Sequence, residues 1–122
     1  MGTDDSTTLS QAKDLVRTFC EERDWDQFHN PKDLAIGIST EASELLEIFR
    51  FLTPEQVYGI MNDPKHSEHI REELADVLYF VLRFAQMNDI DLTDALTDKI
   101  SKNAEKYPVD RSKGRNLKCD DL

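Results

Sequence analysis

The sequence contains few residues of the kinds that break helices, form disulfides or span membranes. Four glycines and four prolines among 122 residues leave room for long uninterrupted helices. Cys20 and Cys119 have no closely spaced partner, so neither a disulfide framework nor a cysteine-rich zinc site is expected. No apolar run approaches the roughly 20 residues of a membrane-spanning helix, and the amino-terminal residues lack the apolar part of a secretory signal. We therefore expect a single domain without membrane association, in a reducing, cytoplasmic setting.

Positive charge is also scarce. Asp and Glu number 25 against 15 Lys and Arg, which gives a formal net charge of −10. Binding to duplex nucleic acid through its phosphates requires an excess of basic residues, so this class of protein is not expected. The exception is the stretch 99–122, where seven basic residues outnumber four acidic ones. This stretch suits a small phosphorylated ligand.

The spacing of apolar residues predicts an all-α protein. Turn and capping residues separate four main helices and one short helix, and no strand-like alternation is present. His29-Asn30-Pro31 is the expected end of the first helix, and Asp33 is the expected N-cap of the second. The predicted helices cover about residues 8–28, 34–52, 53–61, 67–88 and 93–106.

These helices are expected to form one four-helix-bundle-like domain over residues 10–108. The preceding residues, 1–9, are expected to be flexible, and 109–122 to be a polar, extended tail because they show no apolar period.

Two acidic pairs stand in the most apolar helical stretches. Glu41 and Glu44 are three residues apart in the second predicted helix, and Glu73 and Asp76 are three apart in the third. Residues at this spacing lie on one helix face, and apolar residues surround each pair. If the two helices pack antiparallel, which their short connection favours, the four carboxylates converge in the interior.

Converging carboxylates need a counter-charge. Two like charges about 5–6 Å apart repel by roughly 3 kcal/mol at an effective dielectric of about 20, and burial of an unpaired charge adds to this cost. Oxygen ligands with little His or Cys suit Mg²⁺, Mn²⁺ in its place, or Ca²⁺, rather than zinc. Because Mg²⁺ commonly shares its ligands with substrate phosphates, the pairs predict an enzyme of phosphate chemistry.

Three other interpretations of the acidic pairs can be compared with the sequence. The acids could lie at helix edges, paired with Lys or Arg, as single glutamates usually do. A di-iron bundle would use Glu-x-x-His motifs, but neither pair has a histidine at that place, and His66 and His69 are expected outside the seam. The third is a non-catalytic helical module that dimerises through an apolar face.

Four segments resemble one known family. E-A-S-E-L-L-E and E-E-L-A-D-V-L-Y are similar to the metal-binding signature of the all-α nucleoside triphosphate pyrophosphohydrolases, the MazG-like superfamily. R-D-W-D-Q-F-H-N-P-K-D-L, at 23–34, is similar to the segment before the first acidic pair in dCTP pyrophosphatases. K-I-S-K-N-A-E-K-Y-P, at 99–108, resembles the element that ends the family's core. The segments occur in the family's order, and the resemblance as a whole covers roughly residues 10–108.

The resemblance implies a Mg²⁺-dependent enzyme that cleaves a nucleoside triphosphate to the monophosphate and pyrophosphate, and so cleans or balances nucleotide pools. dCTP is the first candidate substrate, and dATP, a modified pyrimidine nucleotide, dUTP or phosphoribosyl-ATP are alternatives. A homodimer or a dimer of dimers is implied, with the site near the subunit interface. The implied catalytic and metal-binding residues are Glu41, Glu44, Glu73 and Asp76.

Eight further residues are candidates for substrate binding. Trp25 and His29 lie at the end of the first predicted helix, where an aromatic ring can stack on a base, although a tryptophan is more often a core residue. Phe51 and Phe80 would extend this pocket, and some dCTP pyrophosphatases have Trp at the place of Phe51. Lysines late in a helix also suit its dipole without any ligand. The candidates for triphosphate binding are Lys99, Asn103, Lys106 and Tyr107.

Overall fold

The computed structural model describes residues 2–122, and this part of the chain contains helices and no strand. The all-α prediction is therefore confirmed. None of the described helices is long and apolar enough to cross a bilayer. Two short 3₁₀ helices cover Asp26–Phe28 and Cys119–Asp121. The α-helices of the described residues are α1 (Leu9–Glu22), α2 (Pro31–Phe49), α3 (Pro54–Ile60), α4 (Pro64–Met87), α5 (Leu92–Lys106) and α6 (Val109–Ser112).

The first helix is shorter than predicted. It ends at Glu22, because Asp24 adopts a left-handed conformation with φ of 56°, which commonly ends a helix. The backbone N–H of Trp25 then donates to the Cys20 carbonyl at 3.0 Å, and the chain turns into the 3₁₀ helix. The prediction of continuous helix to Phe28 is wrong for this reason.

The residues expected to end the first helix instead begin the second. Asn30 is the N-cap of α2, since its side-chain oxygen accepts from the Asp33 N–H at 2.9 Å. Pro31 follows at the first helical position, where its missing N–H is not needed. Asp33 is therefore not the cap that we predicted. Pro64 opens α4 in the same way after Asp63, three residues before the predicted start.

The predicted helix starts near residues 53 and 93 are confirmed, whereas α2 ends at Phe49 and not at the predicted residue 52. Thr53 caps α3 through a capping box with Gln56, and Asp91 caps α5 by accepting from the Asp94 N–H. The tail differs from the expected extended chain, because it contains α6 and the second 3₁₀ helix. The two cysteines are free thiols, as expected.

The described chain forms two compact units, one ending at Asp89 and one covering Ile90–Leu122. In the first unit α4 is central, since it packs against both α1 and α2. In the second unit α5 is the longest helix, and none of its side chains is fully buried. The buried apolar side chains of the described residues are Cys20, Leu34, Ile70, Leu82 and Ala85.

The helices α2 and α4 approach closely at Gly37. A Cβ atom at this position would lie 2.4 Å from two carbons of the Phe80 ring, so the ring needs a glycine here. One turn further along α2, Glu41 lies beside Glu73 and Asp76, which precede Phe80 on α4. The order of these contacts shows that α2 and α4 run antiparallel, as predicted.

Candidate metal centre

Three of the four predicted acids form a tight group between α2 and α4. One carboxylate oxygen from each of Glu41, Glu73 and Asp76 lies within 4.8 Å of the other two. Glu73 and Asp76 share a face of α4 because they are three residues apart, and the contact at Gly37 brings Glu41 across from them. The group matches what a divalent cation requires of hard oxygen ligands, so it could hold a metal ion.

The fourth acid, Glu44, stands beside this group and not within it. Its side chain is exposed, as is that of Asp76, whereas Glu41 and Glu73 are half-buried. It is nevertheless near enough to raise the pKa of both Glu41 and Glu73. Glu44 therefore borders the group on its solvent side.

Two oxygens of the group have no partner. Glu41 Oε2 and Glu73 Oε2 are buried and accept no hydrogen bond from any of the described residues. Buried acceptors are normally satisfied by protein or water, and an unsatisfied pair of anionic oxygens is a site for a cation. The donor set and the missing partners together fit a bound divalent metal.

Pairing with Lys or Arg at helix edges does not describe these acids. Within residues 2–89, no lysine or arginine forms an ion pair with Glu41, Glu73 or Asp76. A histidine does contact the group, since His69 Nε2 lies 3.3 Å from Glu73 Oε1. We expected His69 outside the seam. Its i,i+4 spacing from Glu73 explains the contact, and its side chain remains exposed.

The crowding of carboxyls changes how they titrate. Burial, together with the neighbouring Glu44, Asp76 and Glu73, raises the pKa of Glu41 from 4.5 to about 7. Burial and the nearby Glu44 and Asp76 also raise the pKa of Glu73, against the opposing effect of His69. Without a cation the group thus holds a proton near neutral pH. A bound cation would supply the charge instead and release that proton.

Two of the predicted base-binding residues, Trp25 and His29, lie in a partly exposed aromatic cluster in the loop between α1 and α2. The Trp25 ring meets Phe19 edge-on at 5.7 Å between centroids and His29 at 6.1 Å. Trp25 is 37% exposed, so it is not the core residue that composition alone favours. His29 Nδ1 accepts a hydrogen bond from Arg83 Nε at 2.9 Å.

The two phenylalanine candidates differ in environment. Phe51 is 81% exposed, and the Arg50 guanidinium lies 4.8 Å from its ring centroid. Phe80 is half-buried against Gly37, one turn beyond Asp76 on α4. Phe80 therefore lines the helix seam next to the acids, whereas Phe51 is free to meet a ligand.

The candidates for triphosphate binding all lie in the second unit. Three are on α5, at positions that share a face of the helix, and Tyr107 is its C-cap. Lys106 is in the last turn, where a positive charge also suits the helix dipole. Binding of the triphosphate stays a prediction for all four residues, Lys99, Asn103, Lys106 and Tyr107.

One feature of the first unit was missed in the sequence. Arg83 is a fully buried arginine in α4, and its guanidinium donates to Asp26, His29 and Gln86. The sequence contained a signal for this buried arginine, because Arg83 interrupts the apolar run V-L-Y-F-V-L-R-F-A.

Comparison with known proteins agrees with these features. A family model described as the MazG-like family matches residues 36–122. The chain is 35% identical to dCTP pyrophosphatase 1 of Mus musculus and 31% identical to that of Homo sapiens, in each case over 94% of this chain and 68% of the relative. Its fold is similar to the crystal structure of a pyrophosphatase from Archaeoglobus fulgidus, with a TM-score of 0.77 and 34% identity over 82% of this chain and 92% of that one. With most of its length matched to these relatives, the chain belongs to the MazG-like family.

Proposed function

We propose that this protein is a Mg²⁺-dependent pyrophosphohydrolase that cleaves dCTP, or a closely related deoxynucleoside triphosphate, to the monophosphate and pyrophosphate. The enzyme class follows from the relatives: the chain is a nucleoside triphosphate pyrophosphatase. The metal, the substrate and the site residues are the proposal. It depends above all on the group of Glu41, Glu73 and Asp76 with its two unsatisfied buried oxygens.

The carboxylates of this group would hold the metal. When bound, a divalent cation supplies positive charge against the phosphate oxygens and lowers the barrier to attack by water. Glu44 would orient the attacking water and take its proton, a role supported by its exposure to solvent beside the group. The water oxygen bonds to the α-phosphorus, the bond from that phosphorus to the bridging oxygen breaks, and pyrophosphate leaves. Mn²⁺ would serve in place of Mg²⁺ because it accepts the same ligands.

Base recognition is assigned to the aromatic side chains. Trp25 and Phe51 both expose ring surface on which a base can stack, and Phe80 closes the seam beside Asp76. His29 adds a ring nitrogen that can hydrogen-bond the base. Side chains of α5 and of its C-cap residue would neutralise and orient the triphosphate. The residues proposed for this role are Lys99, Asn103, Lys106 and Tyr107.

The proposal includes a homodimer or a dimer of dimers. Leu74 and Leu78 are both at least half exposed on α4, and with Met61 they line an apolar groove of about 390 Å³. Exposed apolar surface of this kind supports burial against a second copy. A cytoplasmic location is part of the same proposal, because free Cys20 and Cys119 suit a reducing compartment.

A pyrophosphate-release assay tests the function. Each of the four dNTPs, dUTP and phosphoribosyl-ATP would be supplied with and without Mg²⁺, and both products measured. We expect Mg²⁺-dependent release that is fastest with dCTP or a near relative. Fastest release from phosphoribosyl-ATP would replace the substrate class, and no release from any of them, with no effect of Mg²⁺ on the melting temperature, would favour the non-catalytic dimerisation module.

Charge-neutral variants test the metal site. Glu41→Gln and Asp76→Asn should lose about 100-fold or more in kcat/KM and lose the Mg²⁺-induced rise in melting temperature. Glu68→Gln is the matched control, because Glu68 is an exposed acid on α4 that pairs with Arg71 at 3.2 Å. Full activity in either site variant would contradict the assignment.

A further inference from the structure

Arg83 is the one charged side chain in the core of the described residues. It lies on α4 with none of its surface exposed. Burying a guanidinium is costly unless every donor that faces the protein finds an acceptor. Its contacts therefore indicate what the buried charge holds in place.

Two of the three acceptors lie in the loop between α1 and α2. The Nη2 of Arg83 donates to Asp26 Oδ1, and its Nε donates to His29 Nδ1 at 2.9 Å. The third contact, Nη1 to Gln86 Oε1 at 2.6 Å, is local and orients the guanidinium from the next turn of α4. Arg83 thus ties the central helix to a segment more than fifty residues earlier in the chain.

The other end of the segment is held by α1, since the Trp25 N–H donates to the Cys20 carbonyl and the Trp25 ring meets Phe19. The segment follows a left-handed residue, Asp24, and its 3₁₀ helix spans three residues, Asp26–Phe28, with no side-chain cap. Trp25 lies between the turn and the 3₁₀ helix, and its ring meets that of His29. The Trp25 ring thus lies between Phe19 of α1 and His29, so its orientation depends on α1 and on where His29 is held.

The contact also determines the proton on His29. An arginine donates and cannot accept, so His29 Nδ1 must be the unprotonated ring nitrogen. The imidazole is then neutral and carries its hydrogen on Nε2. In agreement, burial and the positive charge of Arg83 lower the pKa of His29. His29 is held as a hydrogen-bond donor towards any ligand at Nε2.

We propose that Arg83 is a positioning residue for nucleotide recognition, which holds the Trp25 ring and the Nε2–H of the His29 imidazole in the orientation that a base requires. This inference rests on the proposed function, in which Trp25 and His29 contact the base. Arg83 itself is buried and does not touch the substrate. Its loss should weaken binding and leave the chemical step intact.

The sole tryptophan of the chain makes the test direct, because emission reports on Trp25 alone. In Arg83→Met of the full-length protein we expect red-shifted emission and about twofold or greater acrylamide quenching, since the ring is released to solvent. KM for the preferred dNTP should rise about tenfold or more, with kcat within about threefold of wild type. Arg17→Met is the control, because Arg17 pairs with Asp14 and Glu21 on the exposed face of α1.

Some results would overturn the proposal, and a second variant tests it if Arg83→Met does not fold. Unchanged Trp25 emission and KM in folded Arg83→Met, or a fall in kcat alone, would overturn the proposal. If Arg83→Met does not fold, Asp26→Ala removes one acceptor at a half-exposed position and should shift emission and KM in the same direction, and no shift would again overturn it. A wild-type protein that hydrolyses no dNTP would end the proposed function, whereas emission of the nucleotide-free variants still tests whether Arg83 positions Trp25.

Discussion

Replacing Gly37 by alanine tests the close approach of α2 and α4 on which the metal site depends. The added methyl carbon would lie 2.4 Å from Phe80 Cδ1 and Cε1 and 2.8 Å from Cγ, well inside van der Waals contact. The ring is rigid and half-buried, so either Phe80 or the helix must move. Because Glu41 follows one turn after Gly37, a shift of α2 also moves Glu41 relative to Asp76.

The magnitude follows from two opposing effects. Overpacking an interior costs about 1–3 kcal/mol, and alanine gains up to about 1 kcal/mol over glycine within a helix. The net loss in unfolding free energy should be roughly 1–2 kcal/mol, or about 4–8 °C in melting temperature for a chain of this size. We also expect kcat/KM to fall about tenfold, since small displacements of catalytic groups are costly.

The chain offers a matched control at Gly59. This glycine is also helical, in α3, but a Cβ atom there would meet no atom within 4 Å. Gly59→Ala should therefore gain up to about 1 kcal/mol from helix propensity alone. Urea unfolding and thermal melts of both variants would be compared with and without Mg²⁺, and with Phe80→Leu added to Gly37→Ala to restore space. The reasoning is refuted if Gly37→Ala is as stable as Gly59→Ala, or if Phe80→Leu brings no relief.

Three more predictions concern charge, the base pocket and assembly. The pKa of Glu41 is about 7 when folded against 4.5 when unfolded, so the metal-free folded state binds more protons and its free energy of unfolding falls as pH rises from 4.5 to about 7. In Glu41→Gln this part of the slope should vanish in urea melts with chelator, and equal slopes would contradict the assignment. Phe51→Trp should lower KM for dCTP a few-fold through added stacking surface, as judged by initial rates, whereas the same change at exposed Tyr58 should not. Leu78→Asp should reduce the mass measured by light scattering to that of a monomer with helicity retained, and an unchanged mass would exclude the α4 groove as the interface.

The helices were predictable where the local signals agree. Thr53-Pro54-Glu55 predicted one helix start, and Thr93 or Asp91 was expected to cap another. The structure has both helices, with Thr53 and Asp91 as the caps, because capping hydrogen bonds form within a few residues. The segment around Asn30-Pro31 was misread because a proline can follow a helix end or occupy a helix start. The left-handed Asp24, which decides between these alternatives, has no reliable signal in a single sequence.

Part of the candidate site was also predictable. The i,i+3 acids in apolar stripes identified the group of Glu41, Glu73 and Asp76, because helical periodicity alone puts Glu73 and Asp76 on one face of α4 and Glu41 in the apolar stripe of α2. The position of Glu44 beside the group, and the contact of His69 with Glu73, depend on side-chain directions that spacing does not specify.

By itself, the sequence determined that the chain is helical, that its acids lie in apolar seams, and which segments resemble a known family, since all three depend on neighbours within a few turns. Only the tertiary structure decided that α2 meets α4 at Gly37, that two carboxylate oxygens are left without partners, and that Arg83 reaches across to the loop of Trp25 and His29. The physical reason is the separation along the chain of the residues that interact. Hydrogen bonds and periodicity within a helix are local, whereas the burial of a charge and the convergence of carboxylates depend on residues that packing brings together from distant parts of the chain.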